Sequence, residues 1–171
     1  MLHGKRVELL PIGSDEVATV EKRFGRQLKS GELIAMNREA GFQADTLRAG
    51  LHFKSRIIYK IHRNKMITIG GDEIGYVFAR SGKPLDSDQA LGRAVECSKF
   101  QDARAFIMNG GQQGMQREIL REGTYAFNLS QFVIITEKAT YEIPIGKNND
   151  MEIKEITLKI AQCDGFHPVV I

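Results

Sequence analysis

Apolar and polar residues alternate over short stretches of this chain, as expected for β-strands that bury one face. Val7–Ile12 and Val17–Phe24 flank the turn residues Gly13-Ser14-Asp15, and their β-branched residues in near-alternation predict two strands. Gln131–Thr136 and Ala139–Ile145 predict a hairpin around Glu137-Lys138. Shorter strands are predicted at Ile74–Ala79 and Arg93–Cys97. The alternation thus predicts a mainly β fold.

Two stretches have apolar residues at helical spacing instead. Lys99–Met108 is followed by Asn109-Gly110-Gly111, which suits a helix C-cap. Asp150–Cys163 places its apolar residues on one helical face, and the chain then ends in Pro168–Ile171, which we expect to be extended. Leu33–Gly41 fits a short helix or an irregular loop equally well. The predicted fold class is therefore α+β, mainly β.

A segment near the start of the chain recurs 57 residues later. Ile12–Val20 is matched without a gap by Ile69–Val77, and the same shift places Gly25–Leu28 on Gly82–Leu85. Recurrence of this kind is typical of a structural unit that has been copied and packs against its neighbour. Two unrelated hairpins that share a turn would give the same pattern.

The correspondence continues further along the chain only if the second copy carries extra residues. Leu47–Gly50 matches Leu120–Gly123. This match requires about sixteen added residues in the second copy, around Asp102–Gln116. The sequence Pro11-Ile12-Gly13 occurs again as Pro144-Ile145-Gly146. The pattern predicts two tandem β-rich repeat modules, residues 1–68 and 69–146. Residues 147–171 would form a C-terminal helix and strand, the start of a third module.

Composition agrees with a soluble globular chain that can bury a core. The chain has 171 residues, of which 42% are hydrophobic, and its net charge is +3. It contains no apolar run near the ~20 residues that a membrane-spanning helix needs. The apolar residues that we expect to face inward are Val17, Val20, Ile57, Ile61, Ile74, Val77, Phe106, Leu120, Phe132, Ile134, Ile143, Ile156 and Ile160.

Residue types that carry catalysis or bind metals are scattered. Cys97 and Cys163 have no partner spacing, so we expect two buried, reduced thiols, although a disulfide between them remains an alternative. The four histidines are far apart in the sequence, and the acid pairs Asp15-Glu16 and Asp72-Glu73 follow glycine turns. We therefore predict no metal, no cofactor and no enzymatic activity.

The strongest functional candidate is a basic stretch. Thr46–Gly71 contains six Lys and Arg residues and no acid. If Lys54–Ile61 is one strand, Lys54, Arg56 and Lys60 share a face, and we predict that they contact an anionic surface. Each would contribute about 1 kcal/mol near an anionic membrane. An ordinary solvated strand face is the alternative, and nucleic acid is disfavoured because few aromatic residues accompany the cations.

Several long segments resemble a known family. Ile12–Gly25 resembles the N-terminal region of bacterial flotillin-like proteins, which belong to the stomatin, prohibitin and flotillin (SPFH, band 7) superfamily. The resemblance continues through Gly41–Phe53, Asn109–Gly114, Leu120–Asn128 and Asp164–Ile171. The β-rich repeats also look similar to those of the vault shell protein. Members of the superfamily carry a membrane-inserting segment before this region and a long coiled coil after it, and neither pattern is present in these 171 residues.

The resemblance implies a non-enzymatic scaffold or assembly module of a membrane-organising protein. Such a module would act through self-association or contact with other scaffold subunits, together with peripheral contact with an anionic membrane surface. We expect it to be cytoplasmic and to reach the membrane through segments outside this chain. The alternative is a soluble partner- or ligand-binding module that has no membrane role.

Overall fold

Strands carry most of the regular structure. The computed structural model describes residues 6–145 and 149–168, and the prediction of a mainly β, α+β fold is confirmed. The described strands are β1 Val7–Ile12, β2 Glu16–Lys22, β3 Ile34–Ala35, β4 Gly41–Leu47, β5 Gly50–Ser55, β6 Tyr59–Lys65, β7 Ile67–Ile69, β8 Tyr76–Ala79, β9 Gly114–Met115, β10 Gly123–Tyr125, β11 Phe132–Ile135 and β12 Thr140–Tyr141. The described helices are α1 Ala103–Met108 and α2 Asn149–Gln162.

Each half of the chain forms one four-stranded sheet and one two-stranded ribbon. The first half contains the sheet β3-β4-β2-β6 and the ribbon β1–β5, and the second half contains the sheet β12-β11-β8-β9 and the ribbon β7–β10. β2 is antiparallel to both of its neighbours, β4 and β6. β8 is likewise antiparallel to β9 and β11.

Strand register is the same at corresponding positions of the two halves. Three strand contacts in the first half each have a corresponding contact in the second half. The first-named residues of the two contacts are 57 positions apart, and the second-named residues are 73 positions apart. The pairs are Val20–Ile61 with Val77–Ile134, Ile12–Gly50 with Ile69–Gly123, and Ala18–Leu47 with Gly75–Leu120. The two shifts differ because the second half carries additional residues.

Two local features also recur at these shifts. The turn after β1 is closed by the Glu16 N–H, which donates to the Gly13 carbonyl at 3.2 Å, and the turn after β7 by the Glu73 N–H, which donates to the Gly70 carbonyl at 3.2 Å. Gln43 Nε2 donates to the carbonyls four and two residues before it, both at 2.8 Å. Gln116 does the same at 2.7 and 2.8 Å.

The additional residues form a link that contains helix α1. Ala35–Gln43 and Gly92–Gln116 are corresponding parallel contacts, so the added residues lie between Gly92 and Gln116. They begin earlier than the predicted Asp102, and Gln116 itself belongs to the common part. The predicted strand Arg93–Cys97 lies within this link and does not form.

Helix α1 begins four residues later than predicted, whereas α2 is close to its prediction. Lys99 and Phe100 adopt left-handed φ values of 53° and 64°, which cannot continue a right-handed helix. Asp102 then caps α1 by accepting a hydrogen bond from the Ala105 N–H at 2.9 Å. The undecided stretch Leu33–Gly41 contributes the short strand β3. The predicted extended end lies largely outside the described residues, since the description stops at residue 168.

Aromatic side chains fill the centre of the larger core. Phe132 contacts Phe100 and Phe106 edge to face, with ring centroids 5.5 and 5.1 Å apart. Most of the predicted core residues are buried: Val17, Val20, Ile74, Val77, Phe106, Leu120, Phe132, Ile134 and Ile143. Ile61, Ile156 and Ile160 are partly buried. The prediction was wrong for Ile57, which is 61% exposed.

We expect Phe132→Ala to lower the free energy of unfolding by about 3–5 kcal/mol, because it removes the ring that two other aromatic side chains contact. Phe24→Ala is the matched control: Phe24 is 64% exposed, so its loss should change stability by less than about 0.5 kcal/mol. Denaturant unfolding measures both variants. Similar effects of the two substitutions would contradict this description of the core.

Candidate functional site

The three predicted contact residues come together in the fold, although they do not share one strand. Lys54 lies on β5, Arg56 lies in the following turn and Lys60 lies on β6. The predicted single strand Lys54–Ile61 is wrong because the chain reverses after Ser55, whose carbonyl accepts a hydrogen bond from the Ile58 N–H at 3.1 Å. Ile57 is exposed because it lies within this turn.

These cations line a cleft of about 410 Å³ between β1 and β6. Arg23, which follows β2, and Arg63 of β6 also line it, and neither was singled out as a site residue from the sequence. We call the five side chains Arg23, Lys54, Arg56, Lys60 and Arg63 the basic cleft. The one carboxylate that lines it is Glu8. The cleft is therefore strongly positive.

Few of these cations are neutralised by neighbours. Arg56 Nε lies 2.6 Å from the Glu8 carboxylate, but its side chain remains 80% exposed. Lys54 Nζ lies 5.0 Å from the centroid of the Tyr59 ring, a cation–π distance. Arg63 is 4.0 Å from Glu16, at the limit of an ion pair. The basic cleft therefore keeps most of its charge available to a ligand.

An exposed apolar surface lies on the same ribbon and was missed from the sequence. Val7, Leu9, Leu51 and Phe53 are 57, 54, 67 and 67% exposed. Leu9 pairs with Phe53, and alternate residues of paired strands share a face, so the four side chains form one surface. We call it the apolar ribbon face. Finding it required the β1–β5 pairing, which joins segments about forty residues apart.

Glu8, Leu10 and Lys54 alternate with these apolar residues and point to the opposite face of the ribbon. The cleft is bordered by the consecutive residues Glu8–Pro11 of β1, so residues of both faces line it, Leu9 of the apolar ribbon face among them. A single ribbon thus carries the apolar ribbon face and also borders the basic cleft.

A second apolar surface lies between α2 and the second sheet. Tyr76, Met115, Ile119, Ile156 and Ile160 line an open groove of about 410 Å³. Among residues 6–145 and 149–168, His, Cys, Asp and Glu side chains do not gather in threes around a point where a metal could bind. Neither described helix combines the length and apolar character needed to cross a membrane.

Comparison with known proteins assigns no family to the chain. It matches no family model, no curated protein and no solved structure. The resemblance to flotillin-like proteins therefore stays a hypothesis, and the function must be inferred from the geometry of the ribbon and its cleft.

The two thiols lie in different environments, and we expect them to react differently. Cys97 is buried, and burial raises the pKa of its thiol to about 11. The prediction that both cysteines are buried was wrong for Cys163, which is exposed. Because thiolates are the reactive form, a thiol reagent such as DTNB should label one residue quickly in the folded protein. Cys163→Ser should abolish this fast phase, whereas a fast phase that survives would contradict the assignment.

Proposed function

We propose that this chain is a non-enzymatic assembly module of a flotillin-like membrane-organising scaffold, built from two copies of one β unit. It would act through contacts with protein partners and with an anionic membrane surface. The observation that carries the proposal is the apolar ribbon face, because four large apolar side chains on one exposed surface are typical of a docking site.

The shared strand register supports the idea of two copies, and the contacts between the halves suggest how such units pack. Arg104 of α1 binds the Asp45 carboxylate of β4 through two hydrogen bonds of 2.9 Å. This hydrogen bonding lowers the pKa of Asp45. Asn128 Nδ2 donates to the carbonyls of Gln43 and Ala44 at 2.9 and 3.0 Å. β4 of one unit is therefore the surface that the next unit covers.

The apolar ribbon face suits peripheral contact with a membrane. Complete burial of a large apolar side chain contributes about 1.5–3 kcal/mol, so partial insertion of four gives reversible binding. The cations of the cleft border this face, since Leu9 belongs to the face and also lines the cleft. Because the Debye length in physiological salt is about 8 Å, they would add a modest, salt-sensitive attraction to anionic lipid.

Sedimentation with phosphatidylserine vesicles tests the proposal. We expect the wild-type protein to sediment with vesicles at low salt and less so at high salt. The double substitution Leu9→Ser and Phe53→Ser should abolish sedimentation because it removes the inserted side chains. Neutralising Lys54, Arg56 and Lys60 to Gln should weaken binding up to about tenfold and reduce the salt dependence.

Matched controls are available on other surfaces. Phe24→Ser removes an exposed aromatic ring elsewhere, and Lys29, Lys154 and Lys159 are exposed cations that can be neutralised together. Neither change should affect vesicle binding. Absence of binding at every salt concentration would contradict the membrane contact. It would favour the alternative, a partner-binding module without a membrane role.

A further inference from the structure

We propose that the outer edge of β6 binds an extended acidic segment of a protein partner, which adds to the sheet as an antiparallel strand within the basic cleft. This inference rests on the proposed correspondence of the two halves. It deepens that proposal by naming the chemistry of one partner and the backbone that would receive it.

The second half of the chain provides the template. β11 corresponds to β6, and its outer edge is paired with β12 through Ile134–Tyr141 and Ile135–Thr140. The corresponding residues of β6 are Ile61 and His62. β6 runs directly into β7, with only Met66 between them, so the chain makes no hairpin there. In the described part of the protein, β6 is the last strand of its sheet.

The hydrogen-bonding groups of this edge point away from β2. The Arg23 N–H donates to the Ile58 carbonyl at 2.7 Å, and the Met66 N–H donates to the Asp15 carbonyl at 2.8 Å. In antiparallel strands, alternate residues bond to the same neighbour. Even-numbered residues from 58 to 66 therefore face β2. The N–H and C=O groups of Tyr59, Ile61 and Arg63 point outward.

In the second half, the corresponding outward backbone groups make hydrogen bonds to the added strand, as this register predicts. The Thr136 N–H, which corresponds to that of Arg63, donates to the Ala139 carbonyl at 3.0 Å on the β12 side. An edge with outward backbone groups is a template for a further strand. The edge of β6 thus has the geometry to pair with an added strand, as the edge of β11 pairs with β12 in the second half.

The charge around the outer edge of β6 determines which kind of segment would bind there. The five cations of the basic cleft line this edge together with a single carboxylate, so an acidic strand would be attracted and a basic one repelled. The same cations disfavour edge-to-edge pairing of β6 with another copy of itself. The best match is an extended segment that alternates acidic and β-branched residues.

The probe is a peptide with the seven-residue length of β6, alternating glutamate and valine, whose binding to the full chain is followed by NMR. We expect the amides of Tyr59, Ile61 and Arg63 to become protected from exchange. The same peptide with alternate amides N-methylated should not bind, because it keeps its charge but loses backbone donors. A peptide alternating lysine and valine should also fail to bind.

Variants test the charge. Lys54→Gln with Lys60→Gln should weaken binding of the acidic peptide about tenfold. Lys154→Gln with Lys159→Gln removes the same charge from exposed positions of α2 and should leave binding unchanged. Ile61→Pro removes one outward N–H and should reduce binding in a protein whose circular dichroism is unaltered.

Other outcomes overturn the inference and separate it from the membrane proposal. Equal binding of the N-methylated peptide would exclude strand addition. Failure of the acidic peptide, together with loss of vesicle binding in the Lys54→Gln, Lys60→Gln variant, would make lipid the occupant of the cleft. Peptide binding by a protein that ignores vesicles would support the inference and contradict the membrane contact.

Discussion

Burial of β2 and β8 on both faces and along both edges is the constraint on which the rest of the structure depends. Val77 of β8 belongs to the larger core, and the adjacent Phe78 belongs to a second core that Ile153 of α2 and Phe166 complete. A strand with apolar side chains on both faces must have other elements packed against each face to bury them. The ribbon β7–β10 and helix α1 supply one side, and α2 supplies the other. Each central strand must also pair along both edges, because unpaired buried backbone groups are costly.

The sequence predicted well what depends on neighbouring residues. β1 follows alternation, β11 is a short continuous apolar run and α2 follows a one-sided helical pattern, so short windows are sufficient. The prediction of a single strand over Lys54–Ile61 failed for a physical reason. The turn at Arg56–Ile58 contains no Gly, Pro, Asn or Asp, and its apolar residue Ile57 fits the alternation of a strand. The cations still meet, because a hairpin brings Lys54 and Lys60 to the same cleft.

Features that depend on pairing between distant segments could not be predicted in this way. The apolar ribbon face exists because β1 pairs with β5, and the cleft exists because β1 lies across from β6. Arg23 and Arg63 reach the cleft from different strands. No short window contains such information. The recurrence at 57 residues is a long-range signal in the sequence, and the segments that it relates have matching strand register, while a copied folding unit stays a proposal.

The two proposals share the cations of the basic cleft, but each depends on different groups for its main contact: the apolar ribbon face for the membrane and the outward backbone groups of β6 for the partner strand. Unpaired backbone groups are expensive in the apolar part of a membrane, so the outer edge of β6 would stay in water even when the protein is membrane-bound. The apolar ribbon face exposes side chains, and its strands are paired with each other, so it can enter an interface without that cost. Alternation places Lys54 on the opposite side of the ribbon from Phe53. A module bound through the ribbon face would thus keep the outward backbone groups of β6 in water for an acidic strand, while lipid headgroups and the strand would draw on the same cleft cations.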